Sequence, residues 1–301
     1  MENYQRINGL VAATFTPMYA NGDINYEAVK PYADMLAAEG LSGVFVNGTT
    51  GESLSLTLDE RKRLLEAWIQ AADGRYKVIA HVGDNAQRNA ADLAAHARQA
   101  GADAIGAMAP TFFKPSTVQD LIDFFVPVAA SAFPLPFYYY NMPSMTGVSL
   151  SVPAFLHEGR KVMPNLVGTK FTSNNLMEML QCLTLDGGVF EVLHGYDEIL
   201  LSGLSLGATG GVGSTYNYIP QVYLGIMEAV RQGDFDKARV LQRRSVEMVE
   251  IIIRYGGGIR GGKAVLNLKG IPCGPCRLPL SPFSDEEYTL LKHDLRQAAF
   301  L

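Results

Sequence analysis

The sequence predicts an α/β fold, a (β/α)8 barrel followed by a C-terminal helical extension, from three observations. Short runs of apolar and β-branched residues recur eight times between residues 10 and 215. Helical patterns separate these runs. The runs are apolar almost throughout rather than alternating, which is typical of parallel strands covered by helices on both faces. This alternation indicates a closed barrel, and a doubly wound open sheet is the alternative.

The candidate strands follow one another at regular intervals. In order they are LVAATFTPM (10–18), GVFVNGTT (43–50), KVIAHVG (77–83), DAIGAMAP (103–110), LPFYYYNMP (135–143), LVGTKF (166–171), FEVLHG (190–195) and ATGGVGST (208–215). Residues 57–72 and 89–103 show the clearest helical patterns between them. Asp59 and Glu60 fall in the first turn of the former helix, where the helix dipole favours acidic side chains.

The residues after the eighth strand predict more helices than a barrel needs. Residues 218–257 indicate two helices with a break near Gly233 and Asp234, and residues 284–297 indicate a final helix. Because eight strand–helix units already close a TIM barrel, these helices are expected to pack outside it, where they could form an oligomer interface. We therefore expect a barrel over residues 1–217 and an extension over residues 218–301, within one structural unit.

Composition excludes several classes of partner. The chain has 301 residues, of which 48% are hydrophobic and 18% charged, as is normal for a globular protein with a large core. Its formal net charge of −5 argues against nucleic acid or an anionic membrane as the main partner. The first fifteen residues show no signal peptide, and no apolar run is long enough to span a membrane. Three cysteines do not make a disulfide framework, so a cytoplasmic, reduced protein is expected.

Three patterns that could indicate another chemistry are weak. The glycine-rich stretch 207–214 lacks the order of a dinucleotide-binding loop and comes late in the chain. Cys273 and Cys276 have the spacing of a redox motif, but they lie in a proline-rich stretch that cannot continue as a helix. The five histidines show no metal-ligand spacing, so a metal-dependent aldolase is disfavoured and no metal site is expected.

Lys170 is the candidate nucleophile. Lysine is rarely buried, yet Lys170 lies near the carboxyl end of an apolar strand. Burial there would lower the pKa of its amine and keep it neutral, so that it could attack a carbonyl carbon and form a Schiff base. Alternatively, its stem could pack on the barrel rim with the ammonium group in water. Placement alone leaves both interpretations open.

Other candidates follow from the rule that the carboxyl ends of barrel strands, with the loops after them, form the active face. Tyr140 would end strand 5 beside Lys170 and could move protons, or it could be a core aromatic residue. The GTTGE segment, residues 48–52, could bind a carboxylate through hydroxyl and backbone N–H groups, or it could be only a tight loop. The further side chains and glycines placed at this face are Asn47, Tyr138, Asn141, Thr172, His194, Gly195, Asp197, Glu198, Gly213, Ser214 and Thr215.

Five motifs in this order resemble those of one family. GTTGE, FYYYNMP, VGTKF, HGYDE and GSTYN, on successive predicted strands, resemble the superfamily of pyruvate-dependent aldolases that contains dihydrodipicolinate synthases and N-acetylneuraminate lyases. The resemblance covers essentially the whole chain and implies a (β/α)8 barrel that assembles as a homotetramer. It implies that Lys170 is the Schiff-base lysine and Tyr140 the proton-shuttling tyrosine. It also implies that Thr49 and Thr50 bind the carboxylate of pyruvate.

Two departures from the synthase pattern favour the lyase branch. Met145 stands where synthases carry a carboxylate-binding arginine, and Phe112 stands where they carry a relay tyrosine. The lyase branch tolerates apolar residues at both places and typically has the GPCRLPL tail seen here. In that branch the sugar chain of the substrate is bound by residues that match Thr172, Gly195, Asp197, Glu198, Gly213 and Ser214.

The lyase resemblance implies reversible cleavage of N-acetylneuraminate, a sialic acid, to N-acetylmannosamine and pyruvate. The covalent imine on Lys170 would be the electron sink, so no cofactor is expected. Another pyruvate aldolase, either a dihydrodipicolinate synthase or one acting on keto-deoxy sugar acids, is the nearest alternative. A non-catalytic sensor of pyruvate or a sugar acid is the alternative from another class.

Overall fold

Eight parallel strands form a closed barrel in the computed structural model, which describes residues 5–301. They are β1 (Gly9–Ala13), β2 (Gly43–Val46), β3 (Lys77–His81), β4 (Ala104–Met108), β5 (Phe137–Asn141), β6 (Leu166–Phe171), β7 (Glu191–His194) and β8 (Gly210–Gly213). Each strand pairs with its neighbours in chain order, and β8 pairs with β1 to close the sheet. The closed barrel confirms the predicted fold class. Except for β6, each predicted run continues past the end of its strand, and these extra residues form loops at the carboxyl end of the barrel.

Helices surround the barrel. They are α1 (Val29–Ala38), α2 (Leu58–Ala72), α3 (Gln87–Ala100), α4 (Val118–Ala132), α5 (Pro143–Thr146), α6 (Val152–Gly159), α7 (Leu176–Thr184), α8 (Leu200–Ser205), α9 (Pro220–Arg231), α10 (Phe235–Arg254), α11 (Gly257–Leu268) and α12 (Asp285–Gln297). None of these helices is long and apolar enough to cross a lipid bilayer.

Local sequence explains where the two best-predicted helices begin and end. The hydroxyl of Thr57 accepts a hydrogen bond from the Glu60 backbone, and the Glu60 carboxylate accepts one from Thr57 in return, so α2 starts with a capping box. Helix α3 begins two residues before the predicted range and ends at Ala100. It ends there because Gly101 adopts a left-handed φ of 90°.

The predicted break between the first two helices after β8 is confirmed. Gly233 has a φ of 74°, and the side chain of Asp234 caps α10 by accepting a hydrogen bond from the backbone of Lys237. Gln242 of α10 donates a hydrogen bond to the backbone oxygen of Asp197 and accepts one from the backbone of Leu201. These two bonds attach α10 to the segment that follows β7.

The apolar core is divided by the sheet into two parts. The larger part lies between the strands and the surrounding helices. The smaller part fills the barrel interior and includes Val11, Phe45, Ile79, Tyr138, Tyr140, Leu193 and Val212. Because a barrel interior of eight strands is filled by side chains, functional groups must lie at its end rather than in a channel.

Candidate active site

A cavity of about 410 Å³ opens at the carboxyl ends of the barrel strands. The ten residues that the family resemblance assigned to the site all line it: Thr49, Thr50, Tyr140, Lys170, Thr172, Gly195, Asp197, Glu198, Gly213 and Ser214. Of the others placed at this face by the sequence analysis, Thr215 also lines the cavity, whereas Asn47, Tyr138, Asn141 and His194 do not. The ten residues come from five strands and the loops after them, so the active-face rule brings together residues that are far apart in the sequence.

Lys170 is buried, which favours the first of its two interpretations. Only 5% of the residue is exposed, and its Nζ lies 4.0 Å from the ring centre of Tyr140 and 4.5 Å from that of Phe45. Burial lowers the pKa of this amine to about 7, and the charge of Asp197 opposes that effect. A large fraction of Lys170 is therefore neutral, and nucleophilic, at neutral pH.

Tyr140 lies directly beside Lys170. The two residues are paired across β5 and β6. The Tyr140 hydroxyl lies 3.3 Å from the Thr49 hydroxyl and donates a hydrogen bond of 3.1 Å to the sulfur of Met142. Burial raises the pKa of Tyr140 to about 12, so the side chain is a neutral phenol that can donate a hydrogen bond.

Gly195 leaves room for Thr172. A Cβ atom on Gly195 would lie 2.0 Å from the Oγ1 atom of Thr172, which real Cβ atoms essentially never do. The Thr172 hydroxyl is buried beside the Tyr140 phenol, on which it acts electrostatically, and has no well-aligned hydrogen bond among residues 5–301. A buried hydroxyl of this kind is a candidate to bind a polar group of a ligand.

Gly213 leaves room for the side chain of Asp197. A Cβ atom on Gly213 would lie 1.7 Å from the Oδ1 atom of the Asp197 carboxylate. The other oxygen, Oδ2, accepts hydrogen bonds from the backbone and hydroxyl of Thr215, at 2.9 and 2.7 Å. Oδ1 is buried and has no hydrogen-bond partner in the described part of the chain. Asp197 is thus held through Oδ2 by Thr215, while Oδ1 is buried against Gly213.

Glu198 is less enclosed than Asp197, but burial also affects its ionisation. Burial is the main cause that raises the pKa of Glu198, and the nearby Asp197 charge adds to the shift. Two carboxyl groups side by side would repel an anionic group of a ligand and favour neutral hydroxyls.

The two residues that departed from the synthase pattern are both exposed. Met145 follows β5, lines the cavity and has 62% of its surface exposed. Phe112 has 77% of its surface exposed and contacts Phe113 edge to face. Neither side chain can form an ion pair with a carboxylate.

The cysteine pair is shielded from solvent to different degrees. Cys273 is fully buried and Cys276 partly so. Burial raises the pKa of each thiol to about 12, so the reactive thiolate is rare at neutral pH. Within residues 5–301, no group of three or more His, Cys, Asp or Glu side chains is placed to hold a metal ion.

Sequence reasoning missed an aromatic cluster under the site. Phe45, His81 and Tyr140 form three ring contacts with centroid distances of 5.6–5.9 Å. The Nδ1 atom of His81 lies 2.9 Å from the backbone oxygen of Asn47, so it donates a hydrogen bond there. Burial lowers the pKa of His81 well below its usual range and keeps the ring neutral. The position of Phe45 in an inward-facing register of β2 is a signal that could have identified it.

The C-terminal extension also contributes to the cavity, which the sequence analysis did not predict. Ile252 and Ile253 of α10, Ile259 of α11 and Leu280 line the cavity. No local pattern distinguishes these apolar residues from core residues of ordinary helices, so tertiary packing alone identifies them.

Comparisons with known proteins agree on one family. Residues 6–298 match the sequence profile of the dihydrodipicolinate synthetase family. The chain is 42% identical to N-acetylneuraminate lyase A of Xenopus laevis, over 92% of this chain and 91% of that protein. It is also 42% identical to N-acetylneuraminate lyase of Mus musculus, over 99% and 94% of the two chains. The solved structure of Proteus mirabilis N-acetylneuraminate lyase superposes with a TM-score of 0.95 at 37% identity, covering 99% of this chain and 100% of that one.

Proposed function

The chain belongs to the dihydrodipicolinate synthetase family, and we propose that it is an N-acetylneuraminate lyase that reversibly cleaves sialic acid. It is a lyase of the class I aldolase type, with N-acetylmannosamine and pyruvate as products. The observation that carries this proposal is the buried Lys170 amine beside Tyr140, in a cavity that also holds two carboxyl groups.

The reaction we propose begins at Lys170. Its neutral amine attacks C2 of the open-chain sugar acid, and loss of water gives an imine. The hydroxyls of Thr49 and Thr50 bind the carboxylate next to this carbon. The protonated imine then accepts the electron pair of the C3–C4 bond, so that no metal or organic cofactor is needed as electron sink.

We propose that Tyr140 assists the proton transfer that breaks this bond. The C4 hydroxyl must lose its proton as C4 becomes the aldehyde carbon of N-acetylmannosamine. Because the pKa of Tyr140 is raised to about 12, its phenol is not a resting base at neutral pH. The proton therefore passes to the substrate carboxylate, which the phenol orients by donating a hydrogen bond. Protonation of the enamine at C3 and addition of water then release pyruvate and restore Lys170.

The pocket residues set the substrate in this proposal. Thr172 binds the C4 hydroxyl, while Asp197, Glu198 and Ser214 bind hydroxyls of the sugar chain. Gly195 and Gly213 act by leaving space for Thr172 and Asp197. Met145 cannot bind a second carboxylate as arginine would, which favours a polyol over a diacid intermediate.

The test is pyruvate release across a panel of substrates. N-acetylneuraminate is incubated with the protein beside several keto-deoxy sugar acids, and pyruvate is measured with a coupled dehydrogenase. The alternative synthase activity is measured as condensation of pyruvate with aspartate semialdehyde. Faster cleavage of N-acetylneuraminate than of the other acids supports the proposal. Faster condensation of aspartate semialdehyde would assign the chain to the synthase activity, and no turnover with any substrate would favour a sensor.

We further propose a cytoplasmic homotetramer, on the basis of the family resemblance. Leu54 and Met145 are exposed and line one cavity, and the exposed Phe112 follows Thr111 of the same cavity. A second copy of the chain would cover this apolar surface. Light scattering on the protein as it leaves a size-exclusion column tests this assembly. A mass of about four chains is expected, and the mass of a monomer would contradict the proposed tetramer.

A further inference from the structure

We propose that Lys263 of α11 is a positioning residue for the loop of residues 47–52, which follows β2 and is called here the β2 loop. The inference rests on the proposed function, in which Thr49 and Thr50 of this loop bind the carboxylate of pyruvate. Lys263 does not touch the substrate in this proposal. It acts through Glu52, the last residue of the loop.

Lys263 and Glu52 form an ion pair that is almost completely buried. The Lys263 Nζ lies 2.8 Å from the Glu52 Oε1, and each side chain has 1% of its surface exposed. The two residues are 211 positions apart in the sequence. A buried ion pair is often no more stabilising than two apolar side chains of similar volume. We therefore infer that the pair of Lys263 and Glu52 serves to fix one defined geometry rather than to add stability.

The backbone of Glu52 supports this interpretation. Glu52 has a φ of 59°, in the left-handed region that residues with a side chain seldom adopt. Such a conformation persists only where surrounding contacts hold it, and it is often found at functional sites. Both oxygens of the Glu52 carboxylate are held: Oε1 by Lys263, and Oε2 by the backbone N–H of Arg277 at 2.7 Å.

Lys263 itself is fixed by the segment that contains the cysteine pair. Its Nζ donates a second hydrogen bond, of 2.6 Å, to the backbone oxygen of Pro275. The side chain of Arg277 binds the Glu60 carboxylate and the backbone oxygens of Gly22 and Ser55. The proline-rich stretch that contains Cys273 and Cys276 thus holds the ammonium group of Lys263 against the β2 loop.

The fixed position of Glu52 also fixes Thr49, one of the residues proposed to bind pyruvate. The backbone N–H of Glu52 donates a hydrogen bond of 3.0 Å to the backbone oxygen of Thr49. The hydroxyl of Thr49 in turn lies 3.3 Å from that of Tyr140. A displaced Glu52 would therefore shift Thr49, whereas Lys170 stands on β6 and owes its low pKa to burial, opposed by Asp197.

The experiment measures imine formation with pyruvate in a double variant. Lys263→Met alone is not suitable, because it would remove the ammonium group and leave a buried carboxylate unpaired. The double variant Glu52→Gln/Lys263→Met removes both charges and keeps an amide oxygen for the N–H of Arg277, so it is expected to fold. Each full-length protein is incubated with pyruvate and cyanoborohydride, and the adduct on Lys170 is measured by mass spectrometry. In the double variant, the pyruvate concentration for half-maximal trapping should rise about tenfold. The pH midpoint of trapping should stay unchanged.

Arg244→Gln is the matched control, because Arg244 anchors the same C-terminal extension elsewhere. Its guanidinium donates to the backbone oxygens of Ala298 and Ala299 and pairs with the Glu247 carboxylate, and all three partners lie outside the β2 loop. This variant should lower the melting temperature and leave half-maximal trapping unchanged. If the double variant melts at a lower temperature but traps pyruvate as the native protein does, Lys263 has a structural role only and the inference is wrong. If the native protein itself traps no pyruvate, the proposed function fails, and with it the basis of the inference.

Discussion

The charge of the Asp197 carboxylate stabilises the protonated, ammonium form of Lys170, and this attraction raises the pKa of Lys170 against the effect of burial. Removing the charge should therefore lower the pKa of Lys170 further. In Asp197→Asn, trapping of pyruvate on Lys170 should reach half its maximal rate at a lower pH than in the native protein. Turnover of N-acetylneuraminate should fall at least tenfold, because the lost oxygen is a charged hydrogen-bond acceptor worth about 1.5–3 kcal/mol. An unchanged pH midpoint of trapping would contradict the electrostatic effect of Asp197 on Lys170, and a loss of maximal trapping as large as the loss of turnover would contradict its role in binding the sugar.

Imine formation by the native protein should depend on pH in the range where Lys170 titrates. Burial lowers the pKa of the amine to about 7, so the neutral fraction is small at pH 5.5 and nearly complete at pH 8.5. Trapping with cyanoborohydride at a fixed pyruvate concentration should rise with a midpoint near pH 7. A midpoint above pH 9 would mean that the amine is exposed to water and protonated at neutral pH.

Lys170→Met should abolish turnover and stabilise the fold in a pH-dependent manner. The pKa of Lys170 is about 7 in the folded protein and about 10.4 in unfolded chains, so protonation favours unfolding. The loss of folding free energy caused by burying the protonated lysine is fully present below pH 7 and disappears as the pH rises towards about 10.4. The variant should be more stable than the native protein by up to about 4 kcal/mol at pH 6.5, with a smaller difference at pH 9.

Melting curves of both proteins at the two pH values check this prediction. Lys237→Met is the control, because Lys237 is an exposed residue of α10 and its removal should give no such pH dependence. A stabilisation of equal size at pH 6.5 and 9 would show that the gain comes from packing of the methionine rather than from loss of a buried charge.

Gly195→Ala should separate sugar cleavage from imine formation. The new methyl group would lie 2.0 Å from the Thr172 hydroxyl, so Thr172 must move. We expect cleavage of N-acetylneuraminate to fall at least tenfold, or about 1.4 kcal/mol, while trapping of pyruvate changes little. Gly225→Ala in α9 is the control, since its methyl group meets only the flexible end of the Leu241 side chain. Unchanged cleavage in Gly195→Ala would remove Thr172 from the substrate site.

Most of the fold was predictable because it depends on short-range patterns. Apolar runs identified all eight strands, and the chain direction of parallel strands then fixed which ends meet at the active face. This is why Lys170 and Tyr140 could be placed together, as the pairing of β5 and β6 confirms. The placement of Thr172, Gly195 and Asp197 on the cavity wall follows from the same rule.

The unpredicted features all depend on contacts between distant segments. His81 looked like one of five histidines without ligand spacing, yet the barrel places its ring against Phe45 and Tyr140. The partner of Glu52 lies 211 positions away, and no periodicity connects the two residues. The partner of Asp197 was equally hidden, since Thr215 binds one oxygen of its carboxylate from the turn that follows β8.

The long separation between Glu52 and Lys263 has a consequence for biosynthesis. A ribosome makes the β2 loop 211 residues before the lysine that neutralises Glu52, and the backbone N–H of Arg277 comes later still. Until then the carboxylate has to remain in water, because an unpaired charge is too costly to bury. The first strands can begin to associate during translation, but the loop cannot reach its final shape before Lys263 and Arg277 have both emerged. The candidate active site is therefore among the last parts of a nascent chain to mature.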